Sequence, residues 1–383
     1  MIRGLVADKR ILVCAGPGGV GKTTTAAALG ALAARLGKKT LVCTIDPAPR
    51  LADALGVGGL GSEPRPVPAE ACRALGIQDG QDGQDPRLWA VRLDTARAFA
   101  RLVDEQVADP VMRRRVFENT IYRQITTSLT GSQEYAATLA LYELARERRY
   151  DLIVLDTPPT ANALDFLDAP KRIAAAVSSP ALKWFARPPS GGGLSFQRLR
   201  MGGALVLRRL GKLVGSTFLE DLAAFLVDFQ DVLAGFLTRA QAVDALLRSA
   251  EAAFLLVLAP VGVAVEEALY FHGRLQGAGV PVAGFVANRV QPAPGLTDAT
   301  ALRDALRASA AYAELSDQAV AAAAARLASL AREFQAIHAT ESRALERLAA
   351  RAAATPVIRI PLLDHDADNL AELKVVGDSL LAG

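Results

Sequence analysis

Apolar positions along the chain gather into short unbroken runs separated by longer, helix-prone stretches. Arg10 to Ala15 (RILVCA), Lys39 to Ile45 (KTLVCTI), Tyr150 to Asp156 (YDLIVLD), Ala253 to Ala259 (AFLLVLA) and Val282 to Ala287 (VAGFVA) are such runs. Continuous rather than alternating hydrophobicity over so few residues predicts strands buried on both faces. Lys22 to Leu36, rich in Ala, Leu and Thr, predicts a helix ended by Gly37. A last short strand fits Val357 to Ile360. Strands alternating with helices predict an α/β fold built on a doubly wound, mainly parallel sheet.

Two regions break the rhythm. Residues 60 to 88 carry prolines, glycines and the repeat Q-D-G-Q-D-G-Q-D, which predicts a solvated loop. Residues 170 to 250 read as helical, with a glycine-rich interruption at 190 to 195. A third stretch, roughly 299 to 353, is alanine-rich with alternating charges and predicts long helices. No internal repeat of solenoid length is present. The chain therefore reads as a single domain over 1–383. Its core covers 8–60, 140–170, 250–298 and 355–383, with helical insertions about 90–135, 171–250 and 299–353.

Composition narrows the function classes. A net charge of +3 over 383 residues gives no whole-chain field that favours nucleic acid. Cys14, Cys43 and Cys72 are widely spaced and form no C-x-x-C pair. Neither a disulfide framework nor a four-cysteine zinc site is expected. Cys14 and Cys43 lie in apolar runs and read as small core residues. The N-terminus reaches charged Asp8-Lys9-Arg10 without a secretory pattern. The longest apolar stretch, Ala252 to Val265, has fourteen residues and contains Pro260, too short to span a bilayer. The expectation is a cytoplasmic protein without a transmembrane segment.

The strongest chemical signal is CAGPGGVGKTTTAAAL, residues 14 to 29, with the spacing G-x-x-x-x-G-K-T from Gly16 to Thr23. In such a P-loop successive backbone N–H groups make an anion nest, and the following helix adds its positive N-terminus. Gly18, Gly19, Val20, Gly21, Lys22, Thr23 and Thr24 are the expected phosphate-binding residues. Lys22 would reach the β- and γ-phosphates, and the Thr23 hydroxyl would ligate Mg²⁺. Strand, spacing, lysine, threonine and helix coincide, which a mere surface turn does not require.

A hydrolase also needs a carboxylate for the metal shell and a group that orients water. Asp156 ends a buried strand and is followed by T-P-P-T, which suits a rigid phosphate-sensing switch; the bland alternative is a strand-end turn or helix cap. Asp46 ends the strand after the P-loop helix. In a parallel sheet both emerge at the carboxyl edge, the edge that carries the P-loop.

With these motifs in place, GPGGVGKTTTAAALGALAARLGKKTLVCTIDPAPRLADALG resembles the arsenical-pump (ArsA) ATPase family. That family includes the tail-anchored-protein targeting ATPases, and the wider class holds the MinD and ParA ATPases. YDLIVLDTPPTANALDFLDAP resembles its second switch. LVLAPVGVAVEEALYFHGRLQGAGVPVAGFVANRV resembles its later strand-helix-strand, and IRIPLL its closing strand beside the base. The resemblance implies the P-loop NTPase fold, ATP as nucleotide and Mg²⁺ as cofactor. It assigns Asp46 to positioning water or metal, Asp156 to the metal shell and Asn288 to reading adenine. For Asn288 a strand-end turn is the alternative. It also implies a dimer, with itself or with a sister ATPase.

The departures are specific. Pro17 stands where the family has a signature lysine that reaches across a dimer. The first switch reads D-P-A-P-R rather than D-P-A-H-S or D-P-A-H-N. No zinc-binding C-x-x-C follows the asparagine strand, and scattered cysteines offer little to trivalent arsenic. Proline at the second loop position fixes φ and removes no donor expected at the β- or γ-phosphates.

Outside the core, Phe218, Leu222, Phe225, Phe229, Leu233 and Phe236 recur at helical spacing. Core packing and a surface for a hydrophobic protein client both fit this stripe. The basic run Arg198, Arg200, Arg208, Arg209 and Lys212 reads as a solvated face. The sequence thus supports an ArsA-like Mg²⁺-ATPase, a conformational switch acting on a protein or membrane-linked client. Its rivals are a low-turnover ATP-binding partner subunit and a ParA/MinD-like positioning ATPase.

Overall fold

A computed structural model of the chain describes residues 1–78, 85–119, 132–157, 230–312, 314–363 and 369–383. The described residues form one eight-stranded sheet of order β3-β4-β2-β5-β1-β6-β7-β8. The strands are β1 (Ile11–Ala15), β2 (Thr40–Thr44), β3 (Arg65–Pro66), β4 (Leu88–Arg92), β5 (Leu152–Asp156), β6 (Ala252–Leu258), β7 (Val282–Val290) and β8 (Val357–Pro361). Every pairing is parallel except β3 on β4. This is an α/β fold with a mainly parallel sheet covered by helices, as the alternation of runs predicts.

The unbroken apolar runs have a direct cause. Every residue of β1, β2, β5 and β6 is buried, so neither face of these strands meets water. Alternate side chains of β1 still diverge. Ile11, Val13 and Ala15 join the core on one face of the sheet, and Leu12 and Cys14 join the core on the other.

The second core is sealed by α2 (Lys22–Arg35), which lies between the sheet and the C-terminal helix Leu370–Ala382. From Thr25 to Ala34 every residue of α2 is buried, an all-round apolar character that only an enclosed helix tolerates. Alanines and Gly30 permit the close approach: a Cβ at Gly30 would stand 2.2 Å from a Val42 methyl.

Two details differ from the sequence reading, at the N-terminus and between 60 and 88, while the alanine-rich stretch is helical as expected. Residues Ile2–Asp8 form a helix whose Ile2 and Val6, one turn apart, are buried. The stretch from 60 to 88 is not simply a loop, since it holds β3 and the helix Ala69–Ala74 with Cys72 buried, and β4 starts at its end. Of the Q-D-G repeat, which runs from Gln78 to Asp85, residues 79–84 lie outside the described residues. In the alanine-rich stretch two helices form, Ala299–Ala308 and Asp317–Arg351. The longer one is tied to the end of β7: the Gln291 N–H donates to Glu341 at 2.7 Å, and His338 Nδ1 meets the Gln291 carbonyl at 2.7 Å. The Phe218–Phe236 stripe up to Phe229, the Arg198–Lys212 run and the segment following Thr157 also lie outside the described residues. No helix among the described residues is long and apolar enough to cross a membrane.

Candidate functional site

The chain changes direction at β1, which has β5 on one side and β6 on the other. A crevice opens beyond the carboxyl ends of strands at such a point. The loop from Gly16 to Gly21 fills it and leads into α2. Two glycines carry its geometry. Gly16 has φ 152°, and a Cβ there would stand 2.1 Å from the Val257 carbonyl oxygen. Gly21 caps α2 in the left-handed region at φ 89°, and a Cβ there would stand 2.2 Å from Asn288 Nδ2.

No side chain caps α2. Among the described residues, none of the backbone N–H groups from Gly18 to Thr24 donates a hydrogen bond. Such a row of open donors at a helix N-terminus suits an anion with several oxygens. Lys22 is buried, with Nζ donating to the Pro17 carbonyl at 2.7 Å. Burial lowers its pKa, and the neighbouring Asp156 opposes that. Pro17 thus supplies an acceptor to the loop where it lacks a donor.

Asp156 closes the other side. It is 1% exposed, and one carboxylate oxygen, Oδ2, accepts from the Thr23 hydroxyl at 2.8 Å and from the Thr44 hydroxyl at 3.0 Å. Its other oxygen, Oδ1, is buried and has no hydrogen-bond partner among the described residues. Burial pushes the carboxyl up to about 6 despite the two hydroxyls and Lys22. A buried oxygen without a partner is costly unless something outside the chain satisfies it. A hard divalent cation does so, and a carboxylate beside a hydroxyl is the sparse donor set that Mg²⁺ takes when phosphates and water complete its shell.

Asp46 lies just past β2. Its Oδ1 accepts from the Ala48 N–H at 2.9 Å, and its Oδ2 is 3.8 Å from Arg50 Nη1. Asn288, near the end of β7, is 7% exposed and donates from Nδ2 to the Val20 carbonyl at 2.9 Å. Asn288 therefore links the loop to the far side of the sheet. The next residue, Arg289, has φ 61° beside an irregularity in the β7–β8 pairing.

Lys22, Thr23, Asp46 and Asn288 line one cavity of about 620 Å³; Asp156 and Thr44 lie behind its wall, and Asp156 is joined to it through the Thr23 hydroxyl. Gly19, Gly21, Lys22, Thr23, Thr24 and Asp46 line it together with Asn288 and Ile360 to Leu363. Val20 and Gly18 are not in the lining, though Val20 joins it through its carbonyl bond to Asn288. Sequence reasoning missed Thr44, whose position at the end of a buried strand beside Asp46 was the available signal. It quoted Arg50 without giving it a role, and Arg50 lines the cavity. The thiols of Cys14 and Cys43 are fully buried and driven up by burial, so they are core groups and not ligands.

Fold and loop together define the P-loop type of nucleotide-binding α/β protein. Residues 9–183, a little under half of the chain, match the family model described as the anion-transporting ATPase, ArsA type. The chain's relatives include an uncharacterized protein of Streptomyces coelicolor, 35% identical over 164 residues that make up 43% of this chain and 38% of the relative. ATPase ASNA1 homolog 2 of Paramecium tetraurelia is 30% identical over 157 residues, 40% of this chain and 42% of the relative. ATPase get3 of Aspergillus terreus is 31% identical over 164 residues, 42% of this chain and 43% of the relative. The chain thus matches about two fifths of the length of these relatives.

Proposed function

We propose that this chain is a Mg²⁺-dependent ATPase of the ArsA type that works as a nucleotide-driven conformational switch. The observation that carries the reading is the pairing of an open N–H cradle with a buried carboxylate whose Oδ1 lacks a partner, joined through Thr23. Gly18 to Thr24 hold the phosphates through backbone donors, and Lys22 exchanges the Pro17 carbonyl for phosphate oxygens. Thr23, Asp46 and Asp156 would hold Mg²⁺ and its waters, and the ion would supply positive charge against the phosphates. Asp46 also orients the attacking water. Asn288 and residues 360–363 form the adenine end.

Hydrolysis alters contacts at strand ends that reach distant elements. The β7 end is bonded both to the P-loop, through Asn288, and to the helix Asp317–Arg351, through Gln291. Loss of the γ-phosphate is thereby felt far from the nucleotide. The chain acts as a dimer, with itself or a sister ATPase, on a protein client in the cytoplasm.

The test is single-turnover hydrolysis by wild type, Asp46→Asn and Asp156→Asn, with ATP affinity measured alongside. Both variants are expected to lose hydrolysis by a larger factor than they lose affinity. Wild-type rates in both would remove the carboxylates from the reaction. A wild type that binds Mg-ATP tightly and never hydrolyses it would favour the ATP-binding partner subunit instead.

A further inference from the structure

Phosphoryl transfer from ATP to water spreads negative charge over the γ-phosphate, and a cation beyond the P-loop lysine speeds it strongly. The cavity wall contains two arginines besides Lys22, namely Arg50 and Arg289. They stand in different places. Arg289 follows Asn288, beside residues 360–363. Arg50 opens the short helix Arg50–Ala54, four residues after Asp46 and 3.8 Å from its carboxylate, and lines the cavity together with Lys22 and Thr23.

Arg50 is also held loosely. Among the described residues its ion-pair partner is Asp46, and 3.8 Å is beyond hydrogen-bond range. Its side chain is 67% exposed. Such an ion pair contributes little and is easily exchanged. Arg50 is close enough to Lys22 that its charge works against the lysine's, so both cations face the same space. An anion entering between them relieves that repulsion. Pro17, in the loop itself, carries no charge that could do this work.

We propose that Arg50 is a cis-acting arginine finger: it leaves Asp46 when Mg-ATP binds and contacts the γ-phosphate during hydrolysis. The inference rests on the reading of the cavity as an ATP site. In the step, a water oxygen forms a bond to the γ-phosphorus. The bond from that phosphorus to the β,γ-bridging oxygen breaks, and its electron pair stays with ADP. The water proton passes to Asp46 or to solvent, leaving ADP and inorganic phosphate. Arg50 neutralises the equatorial oxygens in transit and, by leaving, frees Asp46 to align the water.

The experiment compares wild type, Arg50→Ala and Arg50→Lys. Calorimetry measures Mg-ADP alone and Mg-ADP with aluminium fluoride, a mimic of the transferring phosphoryl group. Single-turnover hydrolysis is followed for each protein and for a mixture of Arg50→Ala with Lys22→Ala. Arg50→Ala is expected to slow hydrolysis by about a hundredfold or more, given arginine-finger effects of roughly 10³–10⁵. It should weaken the aluminium fluoride complex by a similar factor and leave ADP affinity within about threefold, while Arg50→Lys, a cation without the planar fork, recovers part of the loss. The mixture should be no faster than Arg50→Ala alone. Equal weakening of ADP with and without aluminium fluoride, or hydrolysis by Arg50→Ala within about threefold of wild type, would overturn the proposal alone. So would recovery of hydrolysis in the mixture, because the arginine would then act from a partner chain. A wild type that binds no Mg-ATP would overturn the ATP-site reading and this proposal with it.

Discussion

Replacing Asp156 by asparagine separates the electrostatic cost of the site from its packing. With metal chelated, burial holds the carboxyl at about 6 rather than the usual 3.8. A folded-state value above the unfolded one means that the native chain holds this proton more tightly. Ionisation then costs stability. The cost is absent below about pH 4, grows as the pH rises through 6, and is complete by about pH 8. At about 1.4 kcal/mol for each pH unit of difference, it amounts to about 3 kcal/mol. Asparagine has no such slope. Its Oδ1 can still accept from Thr23 and Thr44, while its Nδ2 replaces the partnerless oxygen and adds a buried donor costing about 1–3 kcal/mol at every pH. The stability of Asp156→Asn relative to wild type should therefore rise by about 3 kcal/mol from pH 4 to pH 8. Urea unfolding in EDTA across that range measures it. A difference that stays constant with pH would refute the argument, because the carboxylate would then not be desolvated at a cost. Mg²⁺ with ATP should stabilise the wild type at pH 8 if this is its site, and the variant should lose most of that gain.

The remaining expectations are shorter. Gly21→Ala forces a side chain into the left-handed region, about 1–2 kcal/mol, and drives a methyl against Asn288; it should lower both the unfolding midpoint and ATP affinity, whereas Gly19→Ala, with open space around it, should show only the backbone cost. Asn288→Ala removes the bond to the Val20 carbonyl and should cost about 1 kcal/mol of stability together with the preference for ATP over GTP in competition. Pro17→Lys should leave ATP binding intact, since no donor is lost, and turnover that becomes dependent on protein concentration would reveal a cation working across a dimer.

How far the sequence exposed this fold depends on burial. The central strands were legible because both of their faces are covered, which leaves runs such as ILVCA and AAFLLVL without a polar break. Strand β4 was not, since LWAVR ends on exposed Arg92 and follows a polar repeat. Strand β3 is two residues long at the sheet edge and ends in Pro66, which an edge tolerates and a sequence pattern hides. The helix Ile2–Asp8 shows only two buried positions, Ile2 and Val6, among charged neighbours. At the site, Lys22, Thr23 and Asp156 could be named because each lies within a local motif. The bonds from Thr44 to Asp156 and from Asn288 to Val20 join residues 112 and 268 positions apart, which no local pattern encodes. Arg50 was visible as a letter but not as a cavity wall, because its nearness to Lys22 arises only when β1 and β2 place their loops on one edge.

Calorimetric titration of wild type and Lys22→Ala with ATP, with and without Mg²⁺, tests the central claim most directly. The wild type should bind ATP more tightly with Mg²⁺ than without it. Lys22→Ala removes a charge-assisted contact of roughly 1.5–3 kcal/mol and should weaken binding at least about tenfold. Equal affinity in the two proteins, or ATP binding indifferent to Mg²⁺, would contradict the assignment of this cavity as a Mg-ATP site.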